Sequence, residues 1–287
     1  MPLELFFAII IIIVLLAGSY TDIKTREVPD WVNFSFIISA LGIRGIWSIA
    51  ASDWRYISYG LMGFLLCVAI AYAMFYAGQW GGGDAKMIMG IGAMMGLQLD
   101  IDAMLVGFLM NTLLVGAVYA LVWGMILIIK NRKQFMKHLR KIVHNKRMLK
   151  IRKLVIISAA VLLVVALAIN EASVKFLILG IVILYVTTFY LWIFVKAIEK
   201  CCMLKKVTPD KLTEGDWIAK DVIVGGKRIT GPKDLGISLE QIKELKRLKK
   251  QKKIDKVLIK EGIPFVPSFL LAFIATWIFG NLFLLVL

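Results

Sequence analysis

The chain has only three cysteines in 287 residues, and no C-x-x-C pair exists among them. Cys67 lies in an apolar run and Cys201 and Cys202 are adjacent, so a four-ligand zinc ribbon is excluded by ligand count. No metal or cofactor is expected. Acids are scarce as well, 19 Asp and Glu against 35 Lys and Arg. Residues 130–153 hold eleven Lys and Arg and no acid. That run has no aromatic alternation of the kind that stacks bases, so nucleic acid is not an expected partner. The apolar run Leu3 to Ala17 lacks a basic leader and a small-residue cleavage site, and reads as a retained first span. A phosphate loop is absent too: Gly81-Gly82-Gly83 is followed by Asp84, not by Gly-Lys-Ser/Thr.

What is abundant is apolar surface. The chain is 60% hydrophobic, more than a soluble domain of this length needs, which makes it a polytopic membrane protein. Apolar runs recur at 3–20, 31–50, 56–77, 85–97, 103–129, 154–170, 174–195 and 264–287. Basic runs beside such segments mark the cytoplasmic side and meet anionic membrane lipids. Residues 130–153 and 196–263 carry +19 between them, leaving −3 for the remainder. Placing both inside puts the N-terminus outside and 21–30 and 78–84 inside. The short loops 51–55, 98–102 and 171–173 then fall on the opposite side. The expected fold is an all-α polytopic membrane protein with about eight transmembrane helices and a small cytoplasmic α+β insert. Its parts are a catalytic core of five spans over 1–129, a basic loop 130–153, two spans over 154–195, the insert 196–263 and a last span 264–287.

Within the insert, Gly225-Gly226 between two β-rich tetrapeptides reads as a hairpin, and Ser238-Leu-Glu-Gln241 opens a helix with a capping box. Lys256 to Lys260 reads as a further strand.

The topology, derived from Lys and Arg alone, brings two acids to one depth. Asp22 falls just past the cytoplasmic end of the first span and Asp84 at the cytoplasmic start of the fourth. Paired carboxylates are what an aspartic peptidase uses, one ionised to activate water and one protonated to polarise the scissile carbonyl. The plain alternatives are an N-cap for Asp84 and an interfacial ion pair for Asp22. The fourth span is about fourteen residues, roughly 21 Å of helix, too short for a dry bilayer core, so water reaches it. Gly81, Gly82 and Gly83 leave room for a ligand backbone beside Asp84. Helix ends give the acids unlike fields, an N-terminus for Asp84 and a C-terminus for Asp22, which assigns the shared proton more often to Asp22.

At Asp22-Ile-Lys-Thr-Arg-Glu-Val-Pro29 and Gly81-Gly-Gly-Asp84-Ala-Lys86 the chain resembles the type IV prepilin peptidases and archaeal preflagellin peptidases, the G-x-G-D membrane aspartic proteases. Residues 256–268, including Gly262-Ile-Pro-Phe-Val-Pro267, resemble the C-terminal region of archaeal members. The resemblance implies that Asp22 and Asp84 are the catalytic pair. It implies pilin-like or archaellin-like precursors as substrates, their short basic leaders removed at the cytoplasmic membrane face. The missing cysteine module favours the peptidase-only archaeal type. Lys24, Arg26 and Lys86 are expected to tune the dyad or anchor phospholipid. A basic leader makes Glu27 and Asp30 candidate contacts. The alternatives are a presenilin-like intramembrane protease, although Thr21 stands where that group has Tyr, and a non-enzymatic transporter or assembly scaffold.

Overall fold

The computed structural model describes residues 3–98, 100 and 103–284. Part of the expected loop 98–102 and the last three residues of the expected eighth span lie outside them. Two compact units are present, one of residues 1–122 with 206–287 and one of residues 123–205.

The first unit starts with α1 (Leu3–Thr25), α2 (Asp30–Ala50) and α3 (Arg55–Tyr76), each long and apolar enough to cross a bilayer. The 14-residue α4 (Gly82–Met95) follows, then α5 (Met104–Lys130), which crosses into the second unit. Among the described residues six helices meet the length and hydropathy of a membrane span: α1, α2, α3, α5, α7 (Lys146–Ala168) and the continuous helix Ala172–Met203. This is a polytopic helical membrane protein. The segments 85–97 and 264–287 appear as shorter helices, α4 and α10 (Val266–Phe279).

Small residues let α4 sit deep in the unit. It is packed between α2 and α3, and Gly63 of α3 and Gly92 of α4 lie so close that neither has space for a Cβ. A side chain on Gly90 would overlap the ring of Phe36 on α2. The core around it includes Ile11, Leu15, Phe36, Met87, Ile91 and Phe269, all 2% exposed or less. The end of so short a helix leaves carbonyls without helical partners. Arg44 of α2 supplies them: its Nε and Nη2 donate to Met94 O at 3.1 and 2.8 Å and Nη2 to Met95 O at 2.6 Å, while Nη1 donates to Tyr56 O at 2.8 Å. The cation also faces the negative end of the α4 dipole.

The expected insert is a small α+β body. Strands β1 (Leu204–Val207), β2 (Trp217–Ile218), β3 (Val222–Val224), β4 (Lys227–Thr230) and β5 (Val257–Lys260) accompany α9 (Leu239–Lys250). The hairpin β3–β4 turns through Gly225 and Gly226 at φ 59° and 81°, the left-handed pair that a two-residue type I′ turn requires. The capping box forms, with Gln241 N–H donating to Ser238 Oγ and Ser238 N–H to Gln241 Oε1. β5 pairs antiparallel with β2, a two-residue strand that composition does not announce. Ile237, Ile242, Leu245 and Val257 form the core of this body.

The second unit contains the amphipathic α6 (Arg132–Val143), then α7 (Lys146–Ala168) packed on α8 (Ala172–Ile198), and one π-helical turn, Glu199–Met203. Phe135 and Ile142 on the apolar face of α6 share a core with Ile193, Ala197 and Ile198. The cysteines are free, and the Sγ atoms of Cys201 and Cys202 are 2.7 Å apart.

Candidate active site

Helix α1 does not stop before Asp22, as the sequence reading has it. It continues to Thr25, and Arg26 ends it in a left-handed conformation (φ 63°), its N–H donating to Asp22 O at 2.9 Å. Asp22 therefore lies inside the last turn, on the buried stripe Leu15, Gly18, Ser19, Asp22, and is 5% exposed. Helix periodicity points it at the protein core.

A carboxylate in that position needs donors. They come from the far end of the chain: Val266 N–H, at the first turn of α10, donates to Asp22 Oδ2 at 2.9 Å, with the backbone of Phe265 beside it. The prolines Pro264 and Pro267 bracket this turn, and proline in a first turn is the mark of a helix start. That is the signal by which the sequence announces the turn, although not its partner. Asp22 thus faces the N-terminus of α10 as well as the C-terminal turn of α1. Asp22 therefore feels a helix N-terminus and a helix C-terminus together, while Asp84 feels an N-terminus alone.

Asp84 is the third residue of α4, not its N-cap. Its Oδ2 accepts Gly81 N–H at 3.0 Å, half of a capping box, since Gly81 has no side chain to return the bond. The three glycines differ. A Cβ on Gly83 would stand 3.2 Å from Val28 N, so Gly83 allows the α1–α2 turn to approach α4. A Cβ on Gly82 would meet nothing within 4 Å, which leaves the open side of the loop there. Trp80 anchors the loop from the other direction. It is buried, with its ring 5.8 Å from Phe265 and 5.4 Å, edge-on, from Phe269. The same turn of α10 therefore holds Asp22 through its backbone and the Asp84 loop through its aromatic side chains.

The two carboxylates interact electrostatically, although 62 positions separate them in the chain. The Arg26 charge acts on Asp22, and the charges of Asp22 and Arg26 both reach Tyr119 of α5, a residue with no sequence signal of its own. The other basic candidates lie elsewhere. Lys24 is on the exposed face of α1, its ammonium 5.6 Å over the Tyr20 ring. Lys86 pairs with Asp30 at 2.6 Å and lies 5.1 Å over the Phe34 ring, so it bonds Asp30 rather than either aspartate.

The insert reaches this end of the unit. The Trp217 ring lies 3.5 Å from where a Cβ on Gly78 would stand, two residues before Trp80, and Gly78 itself is left-handed (φ 66°). Burial pushes the Asp216 carboxyl above its ordinary range, and the charges of Glu27 and Glu261 push it further. Asp216 Oδ2 accepts Thr213 N–H at 2.9 Å. Among the described residues no cluster of His, Cys, Asp and Glu has the number of ligands to hold a metal ion.

Residues 9–126, which include both aspartates, the glycines and Tyr119, match the model of the Type IV leader peptidase family. The chain is similar to the preflagellin peptidases of Methanocaldococcus jannaschii (40% identical), Methanococcus voltae (34%) and Methanococcus maripaludis (31%), each over 80 residues. Those 80 residues are 28% of this chain and 34% of each relative, so the match spans about a third of their length. No solved structure matches. The likeness to the type IV leader peptidase family is thus carried by residues 9–126, the part of the first unit that holds Asp22 and Asp84.

Proposed function

We propose that this protein is a membrane aspartic endopeptidase that removes the short basic leader from archaellin-like or pilin-like precursors. What supports the reading is that Asp22 and Asp84, on separate helices of the first unit, are close enough for their charges to interact. The preflagellin peptidase name of the relatives favours an archaellin-like substrate.

One carboxylate, ionised, takes a proton from water as the water attacks the scissile carbonyl. The other, protonated, donates to the carbonyl oxygen, and a tetrahedral gem-diol forms. A proton passed to the leaving amine completes cleavage. Val266 N–H and Gly81 N–H each bind one oxygen of one aspartate and orient the free oxygens. Open space at Gly82 admits an extended substrate backbone beside Asp84. The excess of Lys and Arg in 130–153 and 196–263 favours a cytoplasmic active-site face and an outside N-terminus. The charges of Glu27 and Glu261 both reach Asp216, and this group of acids suits a basic leader.

The test is cleavage of a purified archaellin precursor by the full-length protein in detergent or liposomes, read as a mobility shift. A product shortened at the boundary between leader and apolar helix supports the reading. Cleavage elsewhere, or none with any archaellin or pilin precursor, contradicts it.

A further inference from the structure

Two asparagines in this fold are fully buried, and they are treated differently. Asn111 on α5 is satisfied at both ends: Nδ2 donates to Thr276 Oγ1 at 2.9 Å and to Gly280 O at 2.8 Å, and Oδ1 accepts Leu282 N–H at 3.0 Å. Asn33 on α2 is equally buried, at 0% exposure, yet neither its Oδ1 nor its Nδ2 has a hydrogen-bond partner in the protein. A primary amide in that state is expensive where bulk water is excluded, and an apolar residue of the same size would remove the penalty.

The helix register locates Asn33. α2 runs parallel to α4: Val28 meets Gly83, Phe36 meets Gly90, and Arg44 reaches Met94 and Met95. Asn33 belongs to the same buried stripe as Phe36, Ala40 and Arg44. Its place between Val28 and Phe36 puts it level with Met87, on the turn of α4 that follows Asp84. Met87 Cε lies against Gly18 of α1, 2.8 Å from where a Cβ would stand. The next residue on α1 is Ser19, on the buried stripe with Asp22, and its Oγ is likewise buried without a partner.

We propose that Asn33 and Ser19 form an internal hydration site between α1, α2 and α4, one helical turn from the two aspartates. The chemistry of the lining matches water. The amide offers two donors and one acceptor, the hydroxyl one donor and an acceptor, and a buried water makes about three such bonds. The role of the site rests on the peptidase reading: at apolar depth the site keeps the nucleophile beside the carboxylates that activate it. The presence of the water does not rest on that reading.

Met87, fully buried, is the reporter. Hydroxyl-radical labelling in ¹⁸O water of the full-length protein oxidises Met87 at a buried position only if water is bound beside it. Labelling of Met87 in the wild type, reduced about fivefold or more in Asn33→Leu, is the expected result given the isosteric loss of polar lining. An unlabelled wild-type Met87, or equal labelling in both proteins, overturns the site. In the cleavage assay a folded Asn33→Leu should lose about tenfold or more in kcat with KM little changed, while Asn33→Ser should retain more activity than the leucine variant. Full-rate cleavage by Asn33→Leu overturns the role, and a rise in KM alone reassigns Asn33 to a substrate contact. Should no precursor be cleaved by the wild type, Met87 labelling still decides whether the site exists.

Discussion

Val266 N–H donates to Asp22 Oδ2 at 2.9 Å across 244 positions of sequence. This bond ties the first helix of the chain to the last described one at the place where the chemistry is proposed to occur. A hydrogen bond to an ionised group contributes about 1.5–3 kcal/mol. Replacing Val266 by its α-hydroxy acid deletes the N–H alone, and cleavage should slow about 10- to 100-fold with the fold intact. Single-turnover kinetics on the ester-containing protein read this directly, and an unchanged rate would remove the bond from the account.

Trp80 joins the Asp84 loop to that same turn through Phe265 and Phe269. Trp80→Ala should destabilise the protein by about 3–5 kcal/mol, as truncation of a buried aromatic does, and lower cleavage with it. Trp80→Phe keeps part of the aromatic contact and should fall between. Thermal unfolding alongside the cleavage rate separates a loose loop from a lost fold.

The glycines before Asp84 make unequal predictions. Gly83→Ala drives a methyl against the Val28 backbone and should destabilise by about 1–3 kcal/mol. Gly82→Ala meets nothing in the protein, so the melting temperature should hold. A rise in KM for the precursor in Gly82→Ala would place substrate at that opening, and equal stability losses in both variants would contradict the packing described.

Asp216 gives the pH prediction. Its carboxyl is pushed above the ordinary range by burial first, then by Glu27 and Glu261. The folded state thus binds its proton more tightly than the unfolded chain, and this group lowers stability as pH rises through the carboxylate range. Asp216→Asn keeps an oxygen for Thr213 N–H and removes the charge. The variant should melt higher than the wild type at pH 7, with the gain shrinking toward pH 4. A gain that grows on acidification would reverse the sign.

Much of this was legible in the chain because charge and periodicity are local signals. The long apolar runs announced the polytopic helical fold, and the Gly225-Gly226 turn and the Ser238 capping box follow from single-residue chemistry. What was hidden is what depends on distant partners. Asp22 looked like a residue beyond a helix because nothing near it in sequence shows that Arg26, in a left-handed conformation, ends α1 five residues later than the apolar run suggests. Nothing local shows that Lys86 pairs with Asp30, 56 positions before it. Arg44, in a run that reads as featureless span, caps α4 across 50 positions, and only the fold brings those carbonyls to it.

The central claim is that Asp22 and Asp84 act as one catalytic pair. The direct measurement is single-turnover cleavage of an archaellin precursor by the wild type, Asp22→Asn and Asp84→Asn at matched folded concentrations. Loss of an essential acid–base group lowers the rate by about 10³-fold or more, and the double variant should be no slower than either single one, because the pair acts as a unit. Cleavage near the wild-type rate by either asparagine variant would contradict the account.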